Sequence, residues 1–399
     1  MPERRIIFVN RVYRPSQAAT AQLATDLAEG LAQRGWSVQV IATGNQSEDL
    51  GGVTIHRTGQ GAEHGGLISR SRNYGRFLRR ARSEVARLAR PGDIVVAMTD
   101  PPLLGVALSR TALAQGARVI HWIQDIYPEI VAAHVGWGSG LALLPLRLRR
   151  DAAWRAAAGC VVLGETMART LADRQIPSTR TTVIPNWAPR ELERVALPAE
   201  SDAQRKSWGL ADKFVVAYSG NLGRVHEFRA IVEAAEILQV HPEIVFLFVG
   251  QGARLDEIRA MAKTRRLDNL HFRPAAPRET LAASLAAADI QLVTLKPAFA
   301  PLVYPSKLAG VLAAGKPVLF VGPPDGEIAG FLEREACGAS VAPGDGARLA
   351  AKLIQWHGEP AMRAAAGQRA RAAFEKHFTF AAALARWEEV LGRAGEPDA

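Results

Sequence analysis

The feature that most narrows the fold is an alternation of short, uninterrupted apolar runs with segments of helical spacing, repeated along the whole chain. The runs are Arg5 to Asn10, Ser37 to Thr43, Asp93 to Met98, Ala117 to Trp122, Gly159 to Leu163 and Thr182 to Ile184 in the first half. In the second they are Phe214 to Ser219, Val245 to Val249, Asn269 to Phe272, Ile290 to Leu295, Pro317 to Val321 and Ala339 to Val341. Continuous apolar runs suit strands covered on both faces, and a helix after each strand is the crossover that parallel pairing requires. The polar stretch Pro189 to Gly209 separates the two series. Since 399 residues exceed what one core usually serves, the expected fold is α/β with two doubly wound, Rossmann-like domains. The first unit displays the pattern: a strand, a helix with Leu23, Leu27 and Leu31 at fourfold spacing, a stop at Gly35 and a second strand. Ser16 is the expected N-cap of that helix, placing free backbone N–H groups at the carboxyl edge of the sheet, where such folds bind ligands. A closing helix is expected over Phe380 to Leu391, and its spacing does not say which domain it packs on.

Composition excludes several classes. Two cysteines, Cys160 and Cys337, lie too far apart for a metal motif and cannot staple a chain of this size, which points to a reducing cytoplasm. No window approaches the ~18 to 20 apolar residues of a membrane span. The longest candidate, Leu141 to Leu148, is short and holds Pro145 and Arg147, so the protein is expected to be soluble or peripherally attached. The formal charge of +10 concentrates in Ser69 to Arg90, with Arg70, Arg72, Arg76, Arg79, Arg80, Arg82, Arg87 and Arg90. Tyr74, Phe77, Leu78, Ala81, Val85 and Leu88 recur there at spacings of three and four. That describes a helix with one apolar stripe and a cationic remainder, which faces either solvent or anionic lipid. Leu141 to Arg155 is a second, looser basic stretch, in which Leu143 and Leu146 project to the side of Arg150. No helix-turn-helix, zinc finger or RNP-type aromatic motif accompanies the charge, so nucleic acid is the weaker partner.

Three segments carry candidate chemistry. The run Val215 to Ser219 enters the loop Gly220-Asn221-Leu222-Gly223-Arg224-Val225-His226, placing backbone amides and a cation where a diphosphate would bind. A second glycine loop, Gly250-Gln251-Gly252, follows the next strand. The third segment, Tyr304 to Pro317, has Pro305 and Ser306 positioned to start and cap a helix, with Lys307 at its first turn and Gly315 at its end. Each also has a plain structural reading, as a strand-to-helix loop or a well-capped helix.

Taken with Pro15 to Leu23, Trp122 to Glu129 and Val183 to Trp187, these segments make the chain resemble a family 4 glycosyltransferase of the two-domain GT-B fold, most like the WbuB-type transferases of bacterial O-antigen and exopolysaccharide synthesis. The resemblance covers essentially the whole chain. It implies an acceptor-binding domain over residues 1–190 and a nucleotide-sugar domain over 191–375, facing a cleft. A C-terminal helix, 376–399, would cross back to the first domain. It implies transfer of a sugar, of fucose or N-acetylfucosamine type, from a UDP- or GDP-linked donor to a polyprenyl-diphosphate-linked saccharide. The enzyme would sit on the inner face of the cytoplasmic membrane and act with retention, without metal or other cofactor. The chain agrees in lacking any Asp-X-Asp pair.

By the same resemblance Gly220, Asn221, Gly223, Arg224, His226, Gly250, Ser306 and Lys307 hold the donor, with Arg224 steadying the leaving diphosphate. Gln17, Thr20, Gln124 and Asp125 face the acceptor. Asp125 orients or deprotonates its hydroxyl and Glu129, four residues on, supports it. Departures from the family pattern are equally specific: its two donor-site glutamates fall on Leu302 and Gly310, its phosphate Arg and Lys fall on Asn221 and His226, and Gln124 stands where many members have His. A nucleotide-sugar 2-epimerase of the same fold and a non-catalytic sugar-nucleotide-binding protein are the competing classes.

Overall fold

The computed structural model describes residues 5–59, 67–136 and 139–395, and the chain divides into two compact units. The first comprises Met1–Pro185 with Pro301–Tyr304 and Ala381–Ala399; the second comprises Asn186–Ala300 and Pro305–Phe380. The ends of the expected domain spans, residues 1–4 and 396–399, lie outside the described residues.

The first unit is built on eight strands: β1 (Arg5–Val9), β2 (Ser37–Ala42), β3 (Glu48–Leu50), β4 (Val53–Arg57), β5 (Ile94–Ala97), β6 (Arg118–Trp122), β7 (Gly159–Val162) and β8 (Thr181–Val183). Their order across the sheet is β3-β4-β2-β1-β5-β6-β7-β8. All pairings are parallel except β3 with β4. Ile6, Ile7, Phe8 and Val9 of β1 are all fully buried, so both faces of this strand are covered. Such side chains contribute about 1.5–3 kcal/mol each relative to exposure. The edge hairpin β3–β4 departs from the expected pattern. Glu48, Asp49 and Leu50 are exposed, and the hairpin is held by Gly51 and Gly52, whose φ of +64° and +77° suit the two-residue turn that matches strand twist.

The helix after β1 spans Ala19–Gln33 and starts later than Ser16. Ala18 occupies the N-cap position without a side-chain cap, and Ser16 Oγ instead accepts from the Ala18 N–H at 3.3 Å, two residues too early to cap. The basic segment forms the helix Leu67–Leu88. Phe77, Ala81, Val85 and Leu88 join one core cluster with Ile7, Val95, Val119 and Leu108, so the apolar stripe docks on the sheet. Arg72, Arg76, Arg79 and Arg82 are exposed, whereas Arg80 donates to the Thr58 carbonyl and Arg87 pairs with Glu84 at 2.6 Å. The side chain of Arg70 lies outside the described residues. The last helix, Phe380–Gly395, joins the first unit from Ala381 onward. Its fully buried Trp387 sits 4.9 Å, centroid to centroid, from Trp122, and Ala394 accepts from Arg118 at 2.5 Å.

The second unit has six parallel strands: β9 (Phe214–Ser219), β10 (Ile244–Val249), β11 (Leu270–Arg273), β12 (Ile290–Thr294), β13 (Val318–Val321) and β14 (Gly338–Val341), ordered β11-β10-β9-β12-β13-β14. Alternate residues of β9 and β10 feed two cores. Val216, Tyr218, Phe246 and Phe248 enter one, and Val215, Ala217, Val245 and Leu247 the other. Order reverses beside β9, which pairs with both β10 and β12. The crevice at such a switch point is where this architecture receives ligands.

Candidate functional site

The switch point of the second unit brings the two glycine loops together. Gly220 N–H donates to the Val249 carbonyl at 2.9 Å, and Leu222 N–H to the Gln251 carbonyl at 2.8 Å. The fit requires glycine: Gly250 has φ +142°, and a Cβ there would stand 2.1 Å from the Gly220 carbonyl oxygen. Tyr218 OH donates to the Asn221 carbonyl at 2.8 Å, and Arg254 binds the His226 carbonyl at 2.9 Å, so the loop is braced from both sides. Arg254 carries no signal in the sequence; only the packing of the two loops reveals it.

Lys307 lies beneath this loop. Part of the residue is exposed, but its Nζ is buried without a hydrogen-bond partner. The ammonium sits 3.5 Å from the centroid of the Tyr218 ring, and a Cβ built on Gly220 would be 3.8 Å from Nζ. Burial pushes its pKa well below the usual lysine value. Ser219 Oγ, at the end of β9, is likewise buried and unpartnered. The site thus holds a desolvated cation and free polar atoms beside a glycine turn, which is chemistry arranged for an anion.

The other donor candidates take different positions. Arg224 and Asn221 are exposed, and Arg224 forms no ion pair among the described residues. Its carbonyl accepts from Lys296 Nζ at 2.9 Å. Lys296 lies two residues past the end of β12, a position that strand-end reasoning applies to as well as to Gly220. His226 is buried, and its Nδ1 lies 2.7 Å from the Thr294 carbonyl. Burial first, then the Lys307 charge, pull its pKa down to about 3, so the ring is neutral at physiological pH and is not a protonated phosphate donor. Ser306 has helical φ and ψ at the head of Lys307–Ala313 and makes no side-chain cap, contrary to the expected cap, because a capping side chain needs an extended backbone to reach the free N–H groups of the first turn. Gly223 belongs to the same loop, and its carbonyl accepts from His226 N–H.

The first unit presents a second constellation at the carboxyl ends of β5 and β6. A pocket there is lined by residues that include Thr99, His121, Asp125, Tyr127, Arg150 and Trp154. Asp125 lies in the loop after β6 and bridges to Val303 in antiparallel fashion, while Ile126 N–H donates to the Leu302 carbonyl at 2.9 Å. Burial, reinforced by the Asp100 carboxylate, raises the Asp125 pKa to about 6. Asp100 is gripped by Arg11 through two bonds of 2.9 and 3.0 Å. Tyr127 is pushed upward by burial and by Asp125, so its hydroxyl keeps its proton. Gln124 is buried next to Asp125 in sequence, Thr20 is half-buried in the first turn of Ala19–Gln33, and Gln17 is exposed just before it.

Glu129 and Asp125 do not share a helical face, because the helix begins only at Glu129, after Pro128. Glu129 enters an ion network instead. Arg150, 1% exposed, binds Glu129 and Asp151, donates to the Tyr127 carbonyl at 2.6 Å and stacks on Trp154 at 4.3 Å; Arg174 binds Glu129 at 2.7 Å. Arg150 therefore turns inward rather than standing with Leu146 on a surface face, since two carboxylates and a carbonyl offset its desolvation. Replacing Arg150 by Met is expected to cost about 3 kcal/mol, a value at the lower end for a broken buried pair because Arg174 remains to share the carboxylates. Urea titration of the two variants checks it: Arg150→Met loses stability, and adding Glu129→Leu restores part of it.

Among the described residues, no helix is long and apolar enough to cross a membrane.

Comparison with known proteins bears on both units. Residues 19–187 match the glycosyl transferase 4-like domain, and residues 200–373 match the glycosyl transferases group 1 domain. WbjE of Pseudomonas aeruginosa, named a probable glycosyltransferase, is 28% identical over 263 residues, covering 66% of this chain and 65% of WbjE. WcaI of Escherichia coli K12, provisionally named a colanic acid biosynthesis glycosyl transferase, is 30% identical over 228 residues, 56% of each chain. The matched stretch thus spans less than two thirds of either relative. The crystal structure of Anabaena Alr3699/HepE in complex with UDP-glucose superposes with a TM-score of 0.75 at 16% identity, covering 97% of this chain and 99% of that one, a likeness of fold. With a family 4 domain in its first half, a group 1 domain in its second and parallel-sheet architecture in each unit, the chain belongs to the family 4 glycosyltransferases of GT-B fold.

Proposed function

We propose that the protein transfers a sugar from a nucleoside diphosphate sugar to a lipid-linked saccharide during bacterial surface polysaccharide synthesis. The observation that carries this reading is the buried, unpartnered Lys307 ammonium beside the Gly220 loop. The donor's diphosphate supplies the negative charge that this cation lacks, and exposed Arg224 closes on the same group from solvent. HepE, solved with UDP-glucose, gives the donor class its precedent, and UDP or GDP sugars of fucose or N-acetylfucosamine type remain the candidates. In the transfer, the bond from the anomeric carbon to the diphosphate oxygen breaks and one to the acceptor oxygen forms. The nucleoside diphosphate departs carrying negative charge, and Asp125 orients the acceptor hydroxyl and receives its proton. Retention without a metal is part of the proposal, with Lys307 and Arg224 supplying the positive charge.

The places of the family's two donor-site glutamates are filled differently here. Leu302 is buried, and a Cβ on Gly310 would come within 3.3 Å of Leu192 Cδ1, so sugar hydroxyls must be gripped by other groups. The deciding experiment is in two steps. Calorimetry against UDP, GDP, dTDP and CMP identifies the nucleotide, and mass spectrometry of a polyprenyl-diphosphate saccharide incubated with the matching sugar nucleotides reads the transfer. One nucleotide binds, and the acceptor gains one sugar. Epimerised donor without transfer, or binding with no product on any lipid acceptor, overturns the reading.

A further inference from the structure

The loop that carries Asp125 is held at two points. On one side Asp125 bridges to Val303 and Ile126 N–H donates to the Leu302 carbonyl, all within the first unit. On the other stands Arg150, whose guanidinium commits all five of its N–H groups to this corner. Nε and Nη2 donate to Asp151 Oδ1 at 2.9 and 2.6 Å. Nη1 donates to the Tyr127 carbonyl at 2.6 Å and to Glu129 Oε2, and Nη2 reaches Glu129 Oε1 at 3.1 Å. Arg147 and Arg174 approach the same Glu129 carboxylate at 3.5 and 2.7 Å. The network borders the site itself, because Arg150 and Asp125 line one pocket.

A buried ion network is a weak means of stabilising a fold, since apolar side chains of similar volume often serve as well or better. What a guanidinium adds is direction: a rigid fork of donors dictates where a carbonyl and two carboxylates stand, which neither Lys nor an apolar side chain can do. Here the carbonyl belongs to Tyr127, two residues from Asp125, and Glu129 heads the helix Glu129–Val135 that closes the loop. We propose that Arg150 is a positioning residue, which with Glu129 and Asp151 fixes the Tyr127 end of the loop and so aims the Asp125 carboxylate at the acceptor hydroxyl. The charge that acts on Asp125 directly is that of Asp100, itself gripped by Arg11, and Tyr127 faces it as well. Arg150 acts instead through the backbone between Asp125 and Tyr127. The inference rests on the acceptor role proposed for Asp125 above.

The test compares the full-length wild type with Arg150→Lys, which keeps the charge and loses the fork, and with Arg150→Met/Glu129→Leu, which removes both charges. All are assayed at a temperature where urea titration shows them folded. Nucleotide affinity stays at the wild-type value in both variants, whereas kcat falls at least about tenfold, within the loss that about 1 Å of misplacement brings. Carbon-13 NMR of protein labelled at its aspartates, with Asp125→Asn identifying the resonance, reads the carboxyl itself. It titrates at about 6 in wild type and moves down towards the ordinary aspartate value in both variants, as the freed loop lets water reach it. A network that only stabilises the fold would lower the melting temperature and leave kcat and the Asp125 titration alone. That result in the double variant, or wild-type kcat in Arg150→Lys, overturns the proposal. If Asp125→Asn is fully active while the titration still moves in the Arg150 variants, the acceptor role falls and the positioning of the loop stands. If Asp125→Asn is inactive and the titration of the double variant stays at the wild-type value, the positioning alone falls.

Discussion

Asp125→Asn is expected to lower turnover by about 10²- to 10³-fold while leaving the affinity for the nucleotide donor unchanged, the size of effect that a positioned general base contributes. Asparagine keeps the shape and can still accept a hydrogen bond, but it cannot take the proton of the acceptor hydroxyl. The pH profile separates this role from a structural one. Burial and then Asp100 raise the Asp125 pKa to about 6, so in wild type turnover rises with pH through about 6 as the carboxylate forms. In Asp125→Asn that acidic limb disappears. Stability moves the other way. A carboxyl with a raised folded-state pKa holds its proton more tightly in the native protein than in the unfolded chain, so its ionisation costs native stability from about pH 4 to 6 and above. Asp125→Asn is therefore expected to be as stable as wild type or more so at pH 8. A variant that loses activity together with stability, or that keeps the limb near pH 6, removes Asp125 from the acceptor step.

Much of this arrangement could be read from the sequence, for physical reasons that differ from part to part. Strands such as Ile6 to Val9 and Ile244 to Val249 are buried on both faces, and an apolar run of that kind has few other ways to fold. The hairpin β3–β4 escaped that reading because Glu48 and Asp49 lie at an exposed edge, where burial imposes no pattern, although Gly51-Gly52 carried the turn signal. The glycine loops were visible because a loop at the carboxyl end of a buried strand has a defined place in the sheet. What the sequence withheld were contacts made across long separations. Arg150 looked like a surface cation until Glu129 and Asp151 were seen to enclose it, and nothing local to Asp125 announces its bridge to Val303. Ser306 failed as a cap through its own backbone angles, which composition does not set.

Lys307 offers the sharpest test of the donor site because its two expected effects have opposite signs. A cation desolvated with no hydrogen-bond partner costs native stability, so Lys307→Met, which keeps the length of the side chain against Tyr218, is expected to stabilise the ligand-free protein. The gain depends on pH. A lysine whose folded-state pKa is depressed has lost protons that the unfolded chain still binds, so wild-type stability is reduced at neutral pH and recovers as pH rises towards the ordinary lysine value. The variant's advantage is accordingly larger at pH 7 than at pH 10. Against this, the same substitution is expected to weaken binding of the donor nucleotide by about 10- to 100-fold, the worth of one hydrogen bond to a charged group. A diphosphate placed beside Lys307 favours its charged form, so nucleotide binding to wild type takes up protons wherever the pH exceeds the lowered lysine pKa. Calorimetry in buffers of different ionisation enthalpy measures that uptake, and in Lys307→Met it should vanish. Arg224→Ala serves as the contrasting case, since losing an exposed arginine side chain can weaken affinity without changing either proton uptake or the stability of the free protein. If Lys307→Met binds nucleotide as tightly as wild type, the diphosphate lies elsewhere, and the buried ammonium is a structural feature of the Tyr218 ring alone.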